Sequence, residues 1–286
     1  MNSFREATLA EQALLRSRHP NVFNRPAGHR IIAIMVIGAL LALAAYAFVR
    51  LEISFERFGT GVGQMAHIVG LMFPPTPGTR LPIYLHALGE TVAIAMLGTL
   101  TAAVLAFPVG FLAAKNVVPN IFAHFAVRRA LDTIRGVDTL IWALIFINVV
   151  GLGPFAGILA IAVSDFGAFG KLFSEAIETS SKAPVEGVTS TGGSKLHTIR
   201  FALIPEVFPV IASQVLYYFE SNTRSATIIG IVGAGGIGMH LTEQIRVLEW
   251  GHVAFLVLMI LVTVAAIDWV SSRLRFAIIG RSPVML

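Results

Sequence analysis

Long runs without a charged residue constrain the fold of this chain more than any other feature. Four such runs cover residues 31–49, 91–114, 139–164 and 250–267. A fifth, residues 201–230, is apolar except for Glu206 and a polar segment at residues 220–227. About 20 mostly apolar residues are enough for a helix to cross a bilayer. Only 13% of the 286 residues are charged, against roughly 25% in soluble domains. The sequence therefore predicts an all-α polytopic membrane protein.

The basic residues predict how the spans are oriented. They precede the first run and follow the last, at Arg5, Arg16, Arg18, Arg25, Arg30, Arg273, Arg275 and Arg281. Because basic residues are enriched at the cytoplasmic ends of spans, we expect both termini in the cytoplasm (N-in, C-in), which requires an even number of spans. The net charge of +5 then reflects membrane topology, and no binding to nucleic acid is expected.

Polar segments between the runs divide the chain into about six spans. We expect them at about residues 31–49, 83–114, 121–150, 155–177, 201–230 and 250–273. The corresponding regions are a cytoplasmic tail (1–30), a first span with an outer segment (31–82), a transmembrane core (83–275) and a second cytoplasmic tail (276–286). Residues 55–72 are expected to form an interfacial helix, and residues 178–200 a cytoplasmic loop. Residues 1–30 are too polar and too long to be a cleaved signal peptide.

Two glycine-rich segments have features of nucleotide-binding loops. Gly233, Gly235 and Gly238 fit the G-x-G-x-x-G pattern of a dinucleotide site, which would make the chain a membrane oxidoreductase. Such a site also needs an acidic residue about 20 positions further on, where this chain has the apolar Leu258. The second segment, residues 187–194, lacks the lysine of a phosphate-binding loop. We therefore expect no catalytic residue, no ATP hydrolysis and no cofactor bound by this chain, and the oxidoreductase stays a disfavoured alternative.

The same glycines are more consistent with a close turn on the outer side. Gly233, Gly235, Gly236 and Gly238 can adopt backbone conformations that other residues avoid. We expect them to let the outer loop turn closely beneath a docked partner protein, with a merely flexible hairpin as the alternative. The chain has no cysteine, and its isolated histidines lack metal-ligand spacing, so no metal site is expected.

The predicted cytoplasmic loop carries a pattern that resembles the E-A-A-x-x-x-G…I-x-L-P loop of bacterial ABC-importer permeases. The glutamate, glycine and proline of that pattern are present as Glu186, Gly192 and Pro205. Its two alanines and its isoleucine are replaced by Gly187, Val188 and Ala202. Such a loop forms a short helix that docks on an ATPase, and an ordinary basic loop is the alternative. The predicted ATPase-coupling residues are Pro184, Val185, Glu186, Gly187, Gly192, Gly193, Lys195 and Pro205. Pro184 suits a first helical turn, and Ser194 can cap the next one.

Four further segments resemble the phosphonate-importer permease family, which includes phosphite and hypophosphite permeases. They are residues 150–157, 171–177, 219–227 (Phe-Glu-Ser-Asn-Thr-Arg-Ser-Ala-Thr) and 232–238. The resemblance covers about residues 85–275. It implies a type I ABC importer permease core in the bacterial inner membrane, paired with a second permease subunit, identical or homologous. It also implies two cytoplasmic ATPases that bind ATP and Mg²⁺, and a periplasmic or lipid-anchored binding protein. A permease for methionine or a quaternary amine, which shares the coupling loop, is the alternative within this class.

The polar segment in the fifth span is the predicted translocation path. Its residues are Glu220, Ser221, Asn222, Arg224, Ser225 and Thr227. Charged residues inside spans usually face a bundle interior or a watery cavity, and a guanidinium can donate two parallel hydrogen bonds to an oxyanion. We expect Arg224, with the hydroxyl residues, to line the path of a small phosphorus oxyanion. The alternative is an interhelical clamp in which Glu220, four residues earlier, already neutralises Arg224. Asn222 is expected to face a neighbouring helix.

Overall fold

The chain folds into helices and connecting turns. The computed structural model describes residues 14, 18, 27–51 and 54–280, and this part of the chain contains no strand. It divides into two compact units, one ending at His67 and the other beginning at Ile68. Most of the predicted tail at residues 1–30, and residues 281–286 of the other predicted tail, lie outside the described residues. The prediction of an all-α protein is confirmed.

Two helices cover the region predicted to hold the first span and the outer segment. Helix α1 (Ala27–Arg50) is long and apolar enough to cross a membrane over Ile31–Arg50. Helix α2 (Phe55–Leu71) corresponds to the predicted interfacial helix. Its exposed apolar residues recur every three or four positions at Phe58, Val62, Met65 and Val69. This spacing places them on one face of the helix.

The rest of the described chain begins with a short 3₁₀ turn, Gly78–Arg80. It is followed in chain order by α3 (Leu81–Ala113), α4 (Ile121–Arg135), α5 (Thr139–Val150), α6 (Pro154–Thr179), α7 (Ala183–Ser190), α8 (Lys195–Thr198), α9 (Ile204–Ile231), α10 (Ile237–Arg246) and α11 (Trp250–Ile279). Among the described residues, α1, α3, α6, α9 and α11 have the length and apolarity of membrane spans, and α4 with α5 makes a sixth candidate. The polytopic fold with about six spans is as predicted, and the N-in, C-in orientation stays a prediction.

The third predicted span is broken. The sequence predicts one helix over residues 121–150, whereas α4 and α5 meet at an angle of 82°. Arg128 on α4 pairs with Glu178 at 2.9 Å, a contact that holds α4 against the end of α6. The carboxylate of Asp138 accepts a hydrogen bond from the Leu140 N–H at 2.8 Å and thus caps a new helix. The single-helix prediction is wrong because a charged partner and an N-cap both favour a break.

Two other helix boundaries differ from the prediction. A π-helical segment, Ile199–Leu203, joins α8 to α9, so helical structure precedes the predicted start at residue 201. Helix α11 continues to Ile279, past the predicted end at residue 273. Arg275 and residues 276–279 therefore lie within a helix.

Small residues bring α3 and α6 into close contact. A Cβ atom on Gly98 would lie 2.7 Å from Cβ of Ile161, and one on Gly110 would lie 2.8 Å from Cβ of Phe173. Glycine at both positions lets the two helix backbones approach, as is common between helices in membranes. Helix α9 packs beside this pair, and its Val207 and Ile211 join Phe169 and Phe173 in a buried apolar cluster.

Hydrogen bonds define two ends of this bundle. At the coupling-loop end, which carries residues 178–204, the Lys115 N–H donates to Glu178 Oε1 at 2.8 Å. At the glycine-loop end, which carries residues 233–238, the Gly153 N–H donates to the Gly233 carbonyl at 3.0 Å. Helix α9 begins at the coupling-loop end and finishes at the glycine-loop end. The side chains of α9 are therefore distributed along the bundle from the coupling-loop end to the glycine-loop end.

Candidate functional site

The buried carboxylate of Glu220 on α9 lies between two arginines. Only 8% of the residue is exposed. Its Oε1 lies 3.5 Å from Nη1 of Arg224, one turn further along the same helix, and its Oε2 accepts a hydrogen bond from Nη1 of Arg275 at 3.2 Å. The predicted i, i+4 pair is present, and a third residue completes it. We call Glu220, Arg224 and Arg275 the charged triad, which carries one net positive charge.

Arg275 is the member of the triad that sequence reasoning misses. Its position near the end of the last apolar run makes it look like a cytoplasmic flanking residue. In the structure its guanidinium lies over the Tyr217 ring, 5.9 Å from the ring centroid, and reaches Glu220 from α11. The sequence indicates Arg275 only indirectly. A glutamate within a span, such as Glu220, needs a charged partner, and the presence of Arg224 on the same helix does not exclude a second arginine from another helix.

Arg224 is exposed although it lies in a helix of membrane-spanning length. Almost half of its side chain, 48%, is exposed in the single chain. A guanidinium in such a position faces a watery cavity or a partner subunit, because exposure to lipid would be very unfavourable. Ser221 and Ser225 are partly buried on the neighbouring turns. The Ser225 hydroxyl already donates to the Ser221 carbonyl at 3.4 Å, so its oxygen has only acceptor capacity to offer.

Two predicted path residues point elsewhere. Thr227 lies with Thr223 in a narrow gap that is also lined by residues of α3 and α11 and that Arg224 does not line. Asn222 is buried, and its Nδ2 donates to Thr99 Oγ1 at 2.8 Å and to Oδ2 of Asp165. These contacts join α9 to α3 and α6, the neighbouring-helix role expected for Asn222. The Asn222–Thr99–Asp165 cluster fixes the rotation of α9 and thereby turns Arg224 outward.

The glycine loop packs tightly against α3. Gly233, Gly235 and Gly236 have φ angles of +105°, +83° and +73°, a region that other residues rarely occupy. The Gly236 N–H donates to Glu90 Oε1 at 3.0 Å, and the Ile237 N–H donates to Thr91 Oγ1 at 2.8 Å. A dinucleotide phosphate would need these N–H groups at the start of α10, and side chains of α3 already occupy them.

Gly238 has a packing role of its own. A Cβ atom there would collide with the Thr227 carbonyl oxygen and would lie 3.0 Å from Cα of Gly230. The glycine-loop end of α9 and the start of α10 can therefore approach only because both positions lack a side chain. The glycine loop is closely turned. Its location on the outer side and its contact with a docked partner protein stay predictions.

The predicted coupling loop forms a short exposed helix. Pro184 lies in the first turn of α7, as the sequence predicts, and Val185 and Val188 are the only half-buried residues of this helix. Gly192 has a φ of +80°. Gly193 allows a tight reversal, since a Cβ there would lie 2.7 Å from the Val188 carbonyl oxygen.

The residues after this reversal start the next helix. Ser194 and His197 form a reciprocal capping box at the start of α8, and Lys195 is exposed beside them. Pro205 lies in the first turn of α9. All eight predicted coupling residues are thus brought to one end of the bundle, with Glu186 and Gly187 exposed on α7.

Two glutamates anchor this loop at its start and its finish. Glu178, at the end of α6, accepts the Lys115 N–H and pairs with Arg128. Glu206, in the first turn of α9, accepts the Ser181 N–H at 2.5 Å. A groove of about 480 Å³ lies beneath α7. It is lined by Asn116, Val117, Pro119, Glu178, Ser180, Ser181, Lys182, Val185, Glu186, Thr189, Lys195, Thr198, Ile199 and Leu203.

Comparison with known proteins shows the family to which the chain belongs. The model of the family described as "Binding-protein-dependent transport system inner membrane component" matches residues 106–279, more than half of the chain. The chain belongs to this family. It is a multi-pass inner-membrane permease of the ABC importer class, and the family assignment favours a transport subunit over the membrane oxidoreductase.

Named relatives and a solved structure agree with this assignment. The permease is 36% identical to the phosphite transport system permease protein PtxC of Stutzerimonas stutzeri, over 75% of this chain and 78% of that one. It is 36% identical to the phosphate-import permease protein PhnE of Mycolicibacterium smegmatis, over 88% of this chain but 48% of the longer relative. An inward-facing structure of the MetNI methionine ABC transporter matches with a TM-score of 0.63 at 18% identity, covering 71% of this chain and 99% of that one. This last likeness concerns the fold alone.

Proposed function

We propose that this permease imports a small phosphorus oxyanion, a phosphonate, phosphite or hypophosphite, across the bacterial inner membrane. The observation that carries the proposal is the charged triad. A glutamate and two arginines on α9 and α11 leave one net positive charge at an exposed position within a span. The 36% identity to a phosphite permease over most of both chains supports an oxyanion in particular.

The chemistry of the triad suits such a substrate. The Arg224 guanidinium is about half exposed and contacts Glu220 at the long distance of 3.5 Å, so its remaining N–H groups can donate to a passing anion. Two parallel N–H donors match two oxygens on one phosphorus atom. A monoanion beside the triad would make the group neutral. Glu220 in turn keeps Arg224 from binding the anion so tightly that release becomes slow.

Partners supply the energy and the selectivity. The exposed helix α7 would dock on one of two cytoplasmic ATPases, which would bind ATP and Mg²⁺, while this chain binds no cofactor. A second permease subunit, identical or homologous, would cover the exposed Arg224 face of α9. A periplasmic or lipid-anchored binding protein would deliver the anion at the glycine-loop end. Because Glu206 of α9 holds Ser181, just before α7, displacement of α7 would move the helix that carries Arg224.

Reconstituted transport tests the proposal. The permease, its ATPase and its binding protein are placed in proteoliposomes, and ATP-dependent uptake of phosphite, hypophosphite, methylphosphonate and phosphate is compared with uptake of methionine and glycine betaine. We expect saturable uptake of at least one phosphorus oxyanion and none of the zwitterions. Uptake of methionine or glycine betaine with no phosphorus anion transported would overturn the proposal in favour of the alternative permease.

A further inference from the structure

Two opposite charges lie exposed on the bundle. Arg135 ends α4, at the break before α5, and Asp268 lies on α11. Both residues are exposed in the single chain, and neither side chain forms an ion pair or a hydrogen bond with another described residue. The carboxylates of Asp132 and Asp138, near Arg135 in the sequence, are engaged with other groups. Arg135 and Asp268 are therefore each free to pair with a group outside the chain.

Arg135 lies at the middle depth of the bundle. A Cβ atom on Gly167, at the centre of α6, would lie 2.9 Å from the backbone nitrogen of Arg135. The charge of Arg135 acts on the hydroxyl of Tyr218, at the centre of α9. Exposure of a charged side chain to lipid at this depth would be very unfavourable. Arg135 therefore faces either water or another subunit.

Asp268 lies at a similar depth. Ser271, three residues later on α11, donates to the Leu216 carbonyl of α9, which places Asp268 about 5 Å further along the bundle, near the level of Tyr218. Thr263 shares a gap with residues of α3, and it lies about 140° around the helix from Asp268. Asp268 is therefore on the side of α11 that is turned away from α3, next to the exposed face of α9.

The two charges flank this exposed face. Among the described helices, α5 and α11 both pack on α9, and they do not pack on each other. Helix α5 follows Arg135 after the break and reaches α9 through the buried cluster that contains Ala143. Between the two flanks α9 exposes Tyr217, Arg224 and Ile228, which lie within about 40° around the helix. One chain thus presents a single face with a cation on one flank and an anion on the other.

We propose that this face binds a second copy of the chain about a two-fold axis, with Arg135 of each copy paired to Asp268 of the other. A two-fold contact requires a self-complementary surface, because each flank meets the opposite flank of the second copy. Both partners of the ion pair are present on this chain, so an identical subunit supplies them. The axis then passes beside α9, and the Arg224 guanidiniums of both copies line one shared space. The inference deepens the proposed function, on which it rests for the anion in that space, by making the second permease subunit identical.

Cross-linking tests the contact directly, because the chain contains no cysteine. Two forms with different affinity tags are co-expressed in the full transport complex, one with Asp268→Cys and the other with Arg135→Cys. In a mixed pair the two cysteines replace one ion pair, and the second ion pair stays intact. We expect a short bifunctional thiol reagent to join the two forms covalently. Arg273→Cys is the matched control, since Arg273 lies about 140° around α11 from Asp268 and should not be joined to Arg135→Cys.

Charge exchange tests the pairing. Asp268→Arg or Arg135→Glu alone places like charges opposite each other, which is unfavourable at an interface. Each should lower the fraction of complexes that keep both permease copies in detergent without ATP, measured by native mass spectrometry, by about threefold or more. Both substitutions in one chain should restore that fraction to within about twofold.

The outcomes separate this inference from the function on which it rests. The ion pair is refuted if the mixed complex gives no more covalent product than the Arg273→Cys control, or if the exchanged chain is no better than the single reversals. A purified complex whose two permease subunits differ in sequence would refute the identical partner. A complex that is cross-linked as expected and takes up no phosphorus oxyanion would refute the proposed function and leave the contact between copies intact.

Discussion

At the scale of single residues, the charged triad contains two arginines in different surroundings. Side chains of Glu220 and Arg275 are 10% and 22% exposed, whereas that of Arg224 is 48% exposed. A buried ion pair is strongly destabilised when one partner is removed, while an exposed pair contributes about 0–1 kcal/mol. We therefore expect Glu220 and Arg275 to act mainly on stability, and Arg224 to act mainly on the proposed anion.

This difference predicts opposite effects for two substitutions. Glu220→Gln should lower the free energy of unfolding by about 2 kcal/mol, because Arg275 loses a charged partner in a buried position. Arg224→Gln should change it by less than about 1 kcal/mol and yet reduce anion uptake about tenfold or more. Thermal unfolding of the purified complex and uptake per folded complex are the two measurements.

Arg273→Gln is the matched control for these variants. Arg273 lies on α11 above the Trp269 ring, 5.1 Å from its centroid, and takes no part in the triad. It should leave uptake near that of the unmodified complex. If Arg224→Gln destabilises the complex as strongly as Glu220→Gln and leaves uptake per folded complex unchanged, Arg224 is only a clamp.

The distance between residues along the chain explains which of these contacts the sequence could predict. Glu220 and Arg224 are four apart, and helical geometry alone brings such residues together. Arg275 and Glu220 are 55 apart, as are Ser271 and the Leu216 carbonyl that it bonds at 3.1 Å. No local sequence pattern shows which residues of α9 lie beside which residues of α11. The sequence therefore predicts the Glu220–Arg224 contact of the triad, whereas the Glu220–Arg275 contact depends on how α9 and α11 pack.

At the scale of elements, the contact between α3 and α6 depends on glycine at defined positions. Gly98 has no room for a Cβ atom, because Ile161 lies 2.7 Å from where it would be. Gly89, nine residues earlier on the same helix, has open space around it. The two glycines are alike in sequence and differ only in what the neighbouring helix places beside them.

Alanine at these two positions should have opposite effects. Gly98→Ala should destabilise the complex by about 1–3 kcal/mol, since α3 and α6 must separate or distort. Gly89→Ala should be neutral or stabilise by up to about 1 kcal/mol, because alanine favours a helix over glycine. Thermal unfolding in detergent measures both. Equal effects from the two substitutions would show that α3 and α6 do not pack this closely in the membrane.

The elements also show where a sequence pattern is ambiguous. Residues 139–150 are apolar enough for a span, but α5 has 12 residues, about 18 Å of helix, against a hydrocarbon core of about 30 Å. The charges on α4 could belong to the inner end of a span or to a separate helix. Arg128 and Glu178, 50 residues apart and 2.9 Å from each other, favour the separate helix. Such a partner is visible only after folding.

At the scale of the whole molecule, the predicted coupling loop is held to the rest of the bundle at its start and at its finish. Glu178 connects the start of the loop to the α3–α4 turn, and Glu206 connects its finish to α9. Between them α7 is largely exposed. A force applied to α7 would reach α9 through Glu206 and through the helical segment that runs from Lys195 into α9, and α9 carries Arg224.

Loss of the Glu206 contact should therefore uncouple ATP hydrolysis from transport. In Glu206→Ala the Ser181 N–H loses its acceptor, so α7 stays joined to α9 only through residues 191–203 and transmits less of its movement. We expect the complex to hydrolyse ATP at close to the unmodified rate, while uptake falls several-fold and the ratio of ATP hydrolysed to anion transported rises by the same factor. Glu175→Ala is the matched control, because Glu175 lies exposed near the end of α6 and outside this connection. A parallel fall of hydrolysis and uptake in Glu206→Ala, with an unchanged ratio, would contradict a transmitting role and indicate that the contact only assists docking of the ATPase.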